Sequence, residues 1–418
     1  MAKKRKDINE LSADELANYV HALDILRARS AQNPDDESGY DFQAGLHNDV
    51  FIGPCEHGND LFLAWHRCHL HHFEKLLQES DPPRTQGVTI PYWDWLHKEA
   101  GARKFPDAFY RPGLSGQRNE ASLPLPPDTL DIVTGEPDWN KFGGYPKDDP
   151  INNYGKLELG PHNYMHPQYI GGKMAFPGTA AEDPIYFSFH CFIDLLWAEW
   201  QRRNGEPPAT SPDADLRGFL PKPKHKARDF QRTTDLDYEY EYTDRLKQAF
   251  EVSQPPPPPP QGLLLTERLE PLFADTVSAE MLKKSSAAFA LPKLATTPTS
   301  ATLRLRDLKV PVTGSYMLRA FVHPKGVPFD ANSKEFEERY YVGYVSLWRA
   351  HAGGHGAHEG HGGDAGHEGH GGHGHHPQPH HPAACTVRFD VSKSIFEAGA
   401  AGASGLLLTL QYVPAPGP

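Results

Sequence analysis

Three stretches in the first half of the chain carry apolar residues at helical spacing. The first, 11–28, runs behind Ser12, whose hydroxyl suits the cap position of a helix. The second, 59–77, repeats the period through Leu61, Phe62, Trp65, Leu70, Phe73 and Leu77, and the third, 185–200, is strongly apolar. Pro- and Gly-rich connections lie between them, notably over 105–150. Beyond residue 300 the period changes. Apolar and polar positions alternate over 303–305, 316–322, 340–348, 385–391 and 406–413, the pattern of short strands in a β-sandwich. The chain should therefore be mainly α in its first part and β-rich in its second.

Two low-complexity segments divide it further. Six consecutive prolines, Pro255–Pro260, form a stiff extended linker, taken as 251–261, between domains 1–250 and 262–418. Of the 24 histidines, 11 fall between His351 and His381 among Gly and acidic residues. This tract, 350–382, lacks the large apolar side chains a core needs and reads as a disordered loop inserted between two strands, where an insertion costs little.

Charge narrows the classes of partner. With 42 basic and 54 acidic residues the 418-residue chain carries a formal charge of −12, which disfavours nucleic acid or an anionic membrane surface. No apolar run approaches the roughly 18–20 residues of a membrane span. The basic start leads into Asp7, Glu10, Asp14 and Glu15 instead of the apolar core of a secretory signal, so a cytoplasmic location is expected. Four cysteines, Cys55, Cys68, Cys191 and Cys385, are too few for a disulfide scaffold. Cys68 and Cys191 read as small packing residues.

The remaining histidines carry the chemistry. His162 and His166, four apart, share one face of a helix, and His190 follows in the next helix. Three neutral imidazoles hold a metal ion and leave a coordination position open. His47, His57 and His66 form a second set, the last of them on an apolar helix. Two such sets point to two metals between packed helices.

At this point the residues resemble a known family. Phe62-Leu-Ala-Trp-His-Arg-Cys-His-Leu-His-His-Phe-Glu74 is similar to the first copper signature of tyrosinases, catechol oxidases and molluscan haemocyanins. Pro161-His-Asn-Tyr-Met-His166, Gly171-Gly-Lys-Met174, Asp183-Pro-Ile-Tyr-Phe-Ser-Phe-His190 and Asp194-Leu-Leu-Trp197 are similar to the second, in the right order, and the resemblance covers residues 40–200. It implies a four-helix bundle around two copper ions, followed by the β-sandwich. His47, His57 and His66 match the ligands of one copper, and His162, His166 and His190 those of the other. The chain departs from the pattern at Phe189-His190, where many relatives have two adjacent histidines, and at His69, where the family usually has Tyr. The gap from His47 to His57 is also short.

The resemblance further implies oxidation of phenolic small molecules by dioxygen, with monophenols hydroxylated and ortho-diphenols taken to quinones. A catechol or ortho-aminophenol oxidase without hydroxylation is the nearest rival, and a haemocyanin-like oxygen or copper binder the next. Cys55-Glu-His57 matches the element that forms a cysteine–histidine thioether in some relatives. Glu158 and Asn163 match a pair proposed to hold the water that deprotonates a monophenol, and Phe176 matches a gate above the second copper. Arg67 and Asp194 correspond to residues that orient ligands, whereas His69, His71 and His72 fall outside the ligand positions. The β-rich region resembles domains that shield the active site in latent phenol oxidases, and the His-rich loop is a candidate for copper delivery.

Overall fold

The structure, a computed structural model, describes residues 2–47, 55–96, 103–121, 123–126, 128–146, 154–206, 211–216, 218, 225–252, 286–291, 302–308, 316–331, 333–347, 385–391 and 405–414. The expected linker at 255–260 and the His-rich tract at 351–381 lie outside them. A short strand, β1 (Lys3–Arg5), leads into α1 (Ala13–Gln32). The helix starts behind Ser12 because two caps act reciprocally. The Glu15 amide donates to Ser12 Oγ at 3.2 Å and the Ser12 amide to Glu15 Oε2 at 2.8 Å. Next come α2 (Tyr40–Gly45), α3 (Phe62–Ser80) and the single turn α4 (Pro82–Thr85). The expected loop region contains two short helices, α5 (Thr129–Gly135) and α6 (Trp139–Gly143).

The segment bearing His162 and His166 differs from the expected regular helix. It is wound into two wide π-helical turns, Glu158–His162 and Met165–Ile170. Pro161 and Pro167 lie within these turns and have no amide hydrogen for the ordinary ladder, which favours the wider winding. After α7 (Pro177–Ala180), α8 (Ile185–Asn204) runs past its apolar stretch and stops at Gly205, whose φ of +82° suits glycine. A small antiparallel hairpin, β2 (Asp215–Leu216) and β3 (His225–Lys226), follows. Strand β4 (Tyr238–Tyr240) pairs in parallel with β1, and α9 (Asp244–Val252) ends this part.

Helix α3 packs against both α1 and α8. Its core is aromatic: Trp65, Trp95, Trp197 and Trp200 are buried, and Phe73 stacks on Phe187 with ring centroids 3.6 Å apart. Each such ring stabilises the fold by roughly 1.5–3 kcal/mol through burial. Register is set by charge. Asp194 of α8 accepts from Arg67 Nε of α3 at 2.5 Å, lies 3.5 Å from Arg5 of β1, and also accepts from Tyr238 and Tyr240 of β4. Both guanidinium groups are fully buried, Arg67 3.6 Å from the Trp197 ring centre and Arg5 2.9 Å from Glu74.

The second part holds β5 (Ser286–Ala290), β6 (Thr302–Leu308), β7 (Tyr316–Pro324), α10 (Lys334–Tyr340), β8 (Tyr341–Leu347), β9 (Cys385–Asp390) and β10 (Leu406–Pro414). An antiparallel sheet runs β5-β10-β7-β8, and β6 pairs with β9 in a separate two-stranded ladder. Sequence alternation reached five of these strands. It missed β5, which is mostly alanine, and placed Tyr340 in a strand, whereas it closes the charged helix α10. The sheet lies across the π-helical segment: Leu318 and Val345 pack on Leu159, and Ser346 Oγ donates to the Asn163 carbonyl at 2.8 Å. Among the described residues no helix is long and apolar enough to cross a membrane.

Removing the charge at Asp194 tests the clamp. Asp194→Ala leaves the buried Arg67 guanidinium without its carboxylate and Arg5 with Glu74 alone, and should cost about 3–5 kcal/mol in denaturant unfolding. A loss below about 1 kcal/mol, the worth of a surface pair, would show that the network does not hold α3 against α8.

Candidate metal centre

Six imidazoles from five places along the chain meet in the interior. His47 follows α2, His57 precedes α3, His66 lies on α3, His162 and His166 on the π-helical segment, and His190 on α8. All are buried except His57, whose side chain is still only 5% exposed. Ring nitrogens of His162, His166 and His190 lie within 4.8 Å of one another. The first set comes together through His47, which groups with His66 and His190 on one side and with Cys55 and His57 on the other.

Most rings are held from behind by their Nδ1 atoms. His47 Nδ1 donates to the Pro177 carbonyl at 2.9 Å, His66 Nδ1 to the Phe62 carbonyl at 2.8 Å, and His166 Nδ1 to the Met174 carbonyl at 3.0 Å. His162 Nδ1 lies 2.9 Å from Asn163 Oδ1, and His57 Nδ1 lies 2.9 Å from Glu158 Oε1. A carbonyl only accepts, so each ring it pins carries its hydrogen on Nδ1 and turns an Nε2 lone pair inward. The local backbone is built for this. Gly171 and Gly172 have φ of +68° and +57°, and a Cβ on Gly172 would sit 1.8 Å from the Gln117 carbonyl oxygen. Only glycine makes the turn that brings Met174 back to His166.

The convergent nitrogens fit metal ions. Nε2 of His47 and Nε2 of His57 are 3.2 Å apart, and those of His166 and His190 are 3.1 Å apart. With the Nδ1 atoms of His47 and His57 both turned to acceptors, two lone pairs face each other, an arrangement that a shared cation relieves. His66 Nε2 and His190 Nδ1 are buried and have no hydrogen-bond partner among the described residues. Burial, the largest effect, lowers every one of these histidines: His47 to about 4, His162 to about 3, and His57, His66, His166 and His190 well below the usual value. The rings are therefore neutral and available as ligands. An all-imidazole set suits copper, which stands at the top of the affinity order for such donors.

The other expected residues fall around this centre. Cys55 is buried and groups with His47 and His57. Glu158 is buried, its carboxyl raised by desolvation, and the Gly58 amide donates to both its oxygens at 3.0 Å. Phe176 is half-buried and stands between Met174 and Pro177, the two residues whose carbonyls hold His166 and His47. His69 is buried apart from the six, between Tyr186 Oη at 3.3 Å and the Gln43 carbonyl at 3.0 Å. Sequence reasoning missed the aromatic walls. Phe62 packs on His66 and His162 with ring centroids 4.7 Å away in each case, Tyr186 lies 4.3 Å from His190, and Phe189 lies 4.9 Å from His166. The positions of Phe62, Tyr186 and Phe189 close to histidines within the signatures could have signalled them.

Comparison with known proteins agrees with this geometry. The chain matches the family model described as the common central domain of tyrosinase over residues 37–122 and 114–203. A tyrosinase of Streptomyces lincolnensis is 27% identical over 244 residues, covering 49% of this chain and 84% of that one. A tyrosinase of Hahella sp. is 27% identical over 258 residues, and the chain spans only 54% of its length. A solved latent aurone synthase, a polyphenol oxidase, shares the fold with a TM-score of 0.64 at 16% identity, over 100% of this chain and 90% of that one.

Glu158 should matter to metal retention through His57. Glu158→Ala is expected to weaken it by about 10–100-fold in competition with a chelator, at unchanged helix content. Unaltered retention would remove Glu158 from the set of residues that orient the ligands.

Proposed function

The chain belongs to the type-3 copper family, and from that premise we propose that it is a dicopper phenol oxidase acting on phenolic small molecules with dioxygen. The observation that carries this reading is the convergence of six neutral imidazoles, five of them held at Nδ1 by a carbonyl, a carboxyl or an amide oxygen. His47, His57 and His66 would hold one copper, and His162, His166 and His190 the other. When bound, the pair supplies two-electron chemistry with dioxygen, by which phenols are oxidised.

The protein's own residues do the rest. Phe62, Phe189 and Tyr186 wall the histidines with apolar surface and exclude water, which keeps the ligands neutral. Phe176, beside the carbonyls that pin His47 and His166, is placed to restrict or stack upon an entering ring. A monophenol must also lose a proton from an oxygen whose ordinary pKa is near 10. In this reading Glu158 and Asn163 hold the water that receives it. One observation favours the narrower reading, catechol or ortho-aminophenol oxidation without hydroxylation. Glu158 is already engaged by His57 and the Gly58 amide, and Asn163 Oδ1 by His162. Oxygen uptake by wild type and Asn163→Ala, with a monophenol and a catechol, separates the two. Loss of about 100-fold on the monophenol alone is expected for a base. An equal loss on both substrates assigns Asn163 to ligand orientation, and no uptake with either substrate by the copper-loaded wild type overturns the enzyme reading.

A thioether between Cys55 and His57 is part of the proposal. It would form by loss of the Sγ hydrogen and one ring carbon hydrogen, with two electrons and two protons passing to dioxygen to give hydrogen peroxide. Mass spectrometry of copper-loaded protein should then find the two residues in a peptide two hydrogens lighter than the free form. Full alkylation of Cys55 in active enzyme would exclude the bond.

We also read the C-terminal strands as a two-layer sandwich that shields the site, with the His-rich tract 351–381 as a weak copper reservoir. Support comes from the contacts of β7 and β8 with the π-helical segment, where Tyr344 packs against Tyr164 at 5.7 Å. Cleavage near residues 250–262 that releases the sheet should raise activity on bulky phenols several-fold, as followed by oxygen uptake. A cleaved protein no more active than the intact one would make the sheet a stabilising module only.

A further inference from the structure

The face of α3 turned away from the dicopper centre carries a second set of metal donors. Cys68 and His72 stand four residues apart and so lie on one side of the helix, while His66, two positions from Cys68, points to the opposite side. The hairpin β2–β3 brings His225 against them. One donor atom from each of Cys68, His72 and His225 lies within 4.8 Å of the others, and the two Nε2 atoms are 2.7 Å apart with ring centroids 4.7 Å apart. Cys68 is fully buried, whereas the two histidines are half-buried, which leaves a side open to water. The platform is rigid. Arg67 donates to the Gln231 carbonyl at 2.7 Å, and the Phe230 ring packs 5.2 Å from His225. The Asp229 carboxylate adds negative charge facing Cys68 and His225.

We propose that Cys68, His72 and His225 form a third metal site, separate from the dicopper centre, for a thiophilic d10 ion, Zn²⁺ or Cu⁺, that ties the β2–β3 hairpin to α3. One thiolate and two imidazoles are a donor set suited to either ion, with water completing a tetrahedron around zinc. Binding replaces the Cys68 Sγ–H bond with a sulfur–metal bond and releases the proton to solvent. It also exchanges the His72–His225 contact for two nitrogen–metal bonds. At zinc–nitrogen distances of about 2.0–2.1 Å, a tetrahedral angle sets the two nitrogens about 3.3 Å apart, so the rings need separate by only about 0.6 Å.

Cobalt reports on this site because it reveals a thiolate ligand. Titration of the copper-loaded full chain with Co²⁺ should give, at one equivalent, a thiolate-to-cobalt charge-transfer band and the intense visible bands of four-coordinate cobalt. The His-rich tract contains no cysteine and cannot produce the first of these. Cys68→Ser and His225→Ala should each abolish the band, and zinc should displace the cobalt and raise the Tm of the native chain only. A parallel Cu⁺ titration against a chromophoric chelator decides which of the two ions is held more tightly. His225 lies on a surface hairpin, so His225→Ala keeps the test open if Cys68→Ser does not fold. A native chain without the thiolate band, or a band that survives either substitution, overturns the site; the two remaining residues would then be a neutral histidine pair beside a packed thiol.

Discussion

The Asp194 carboxylate, held between the guanidinium groups of Arg67 and Arg5, is the constraint on which the rest of the structure depends. With Glu74 beside Arg5, four charges and two tyrosine hydroxyls are removed from water together, and the arrangement is tolerable only because each charge faces its complement. Arg67 follows His66 on α3, and Asp194 lies one helical turn beyond His190 on α8. Whatever fixes Arg67 against Asp194 therefore fixes His66 against His190, whose rings stack with centroids 4.4 Å apart. A metal centre built from distant parts of a chain needs such a clamp, since an apolar interface alone permits sliding.

Within that frame the histidines obey a single rule. A buried imidazole has one nitrogen to satisfy and one to offer; the fold spends backbone carbonyls on the first in His47, His66 and His166, and side-chain oxygens in His57 and His162, so that the second faces inward. The carbonyls of Phe62, Met174 and Pro177 come from quite different elements: a helix turn, a glycine-dependent loop and the start of α7. The winding of the π-helical segment serves the same end. It keeps His162 and His166 close, with ring centroids 4.6 Å apart, across a stretch that its prolines prevent from being an ordinary helix.

Helix α3 emerges as a two-sided element. Its inner face presents His66 between Phe62 and Trp65, and its outer face presents Cys68 and His72 to the hairpin after α8. The β-sheet completes the enclosure from the other direction by covering the segment that bears His162, Asn163 and His166. Chain segments far apart in sequence thus close on one centre from three sides.

Much of this was legible before any coordinates. The helical period placed α1, α3 and α8, alternation placed β6 to β10, and the spacing of His162, His166 and His190 pointed to one metal, because local periodicity is imposed by local geometry. His66, His162, Asn163, His166 and His190 stand in short signatures, and the wider resemblance over 40–200 brought in His47, Cys55, His57 and Glu158. What local pattern could not contain was everything set by approach of distant residues. The partner of Glu158 is His57, about a hundred positions earlier, and the carbonyl behind His47 belongs to Pro177. His225 stands in a short hairpin with no motif of its own, so its meeting with Cys68 and His72 exists only once the chain after α8 has folded back on α3. The sequence by itself determined the long helices and most of the strands and pointed to the side chains proposed as ligands; the tertiary structure decided which nitrogen each ring offers and which distant residues face one another, because those depend on packing between segments that share no local period.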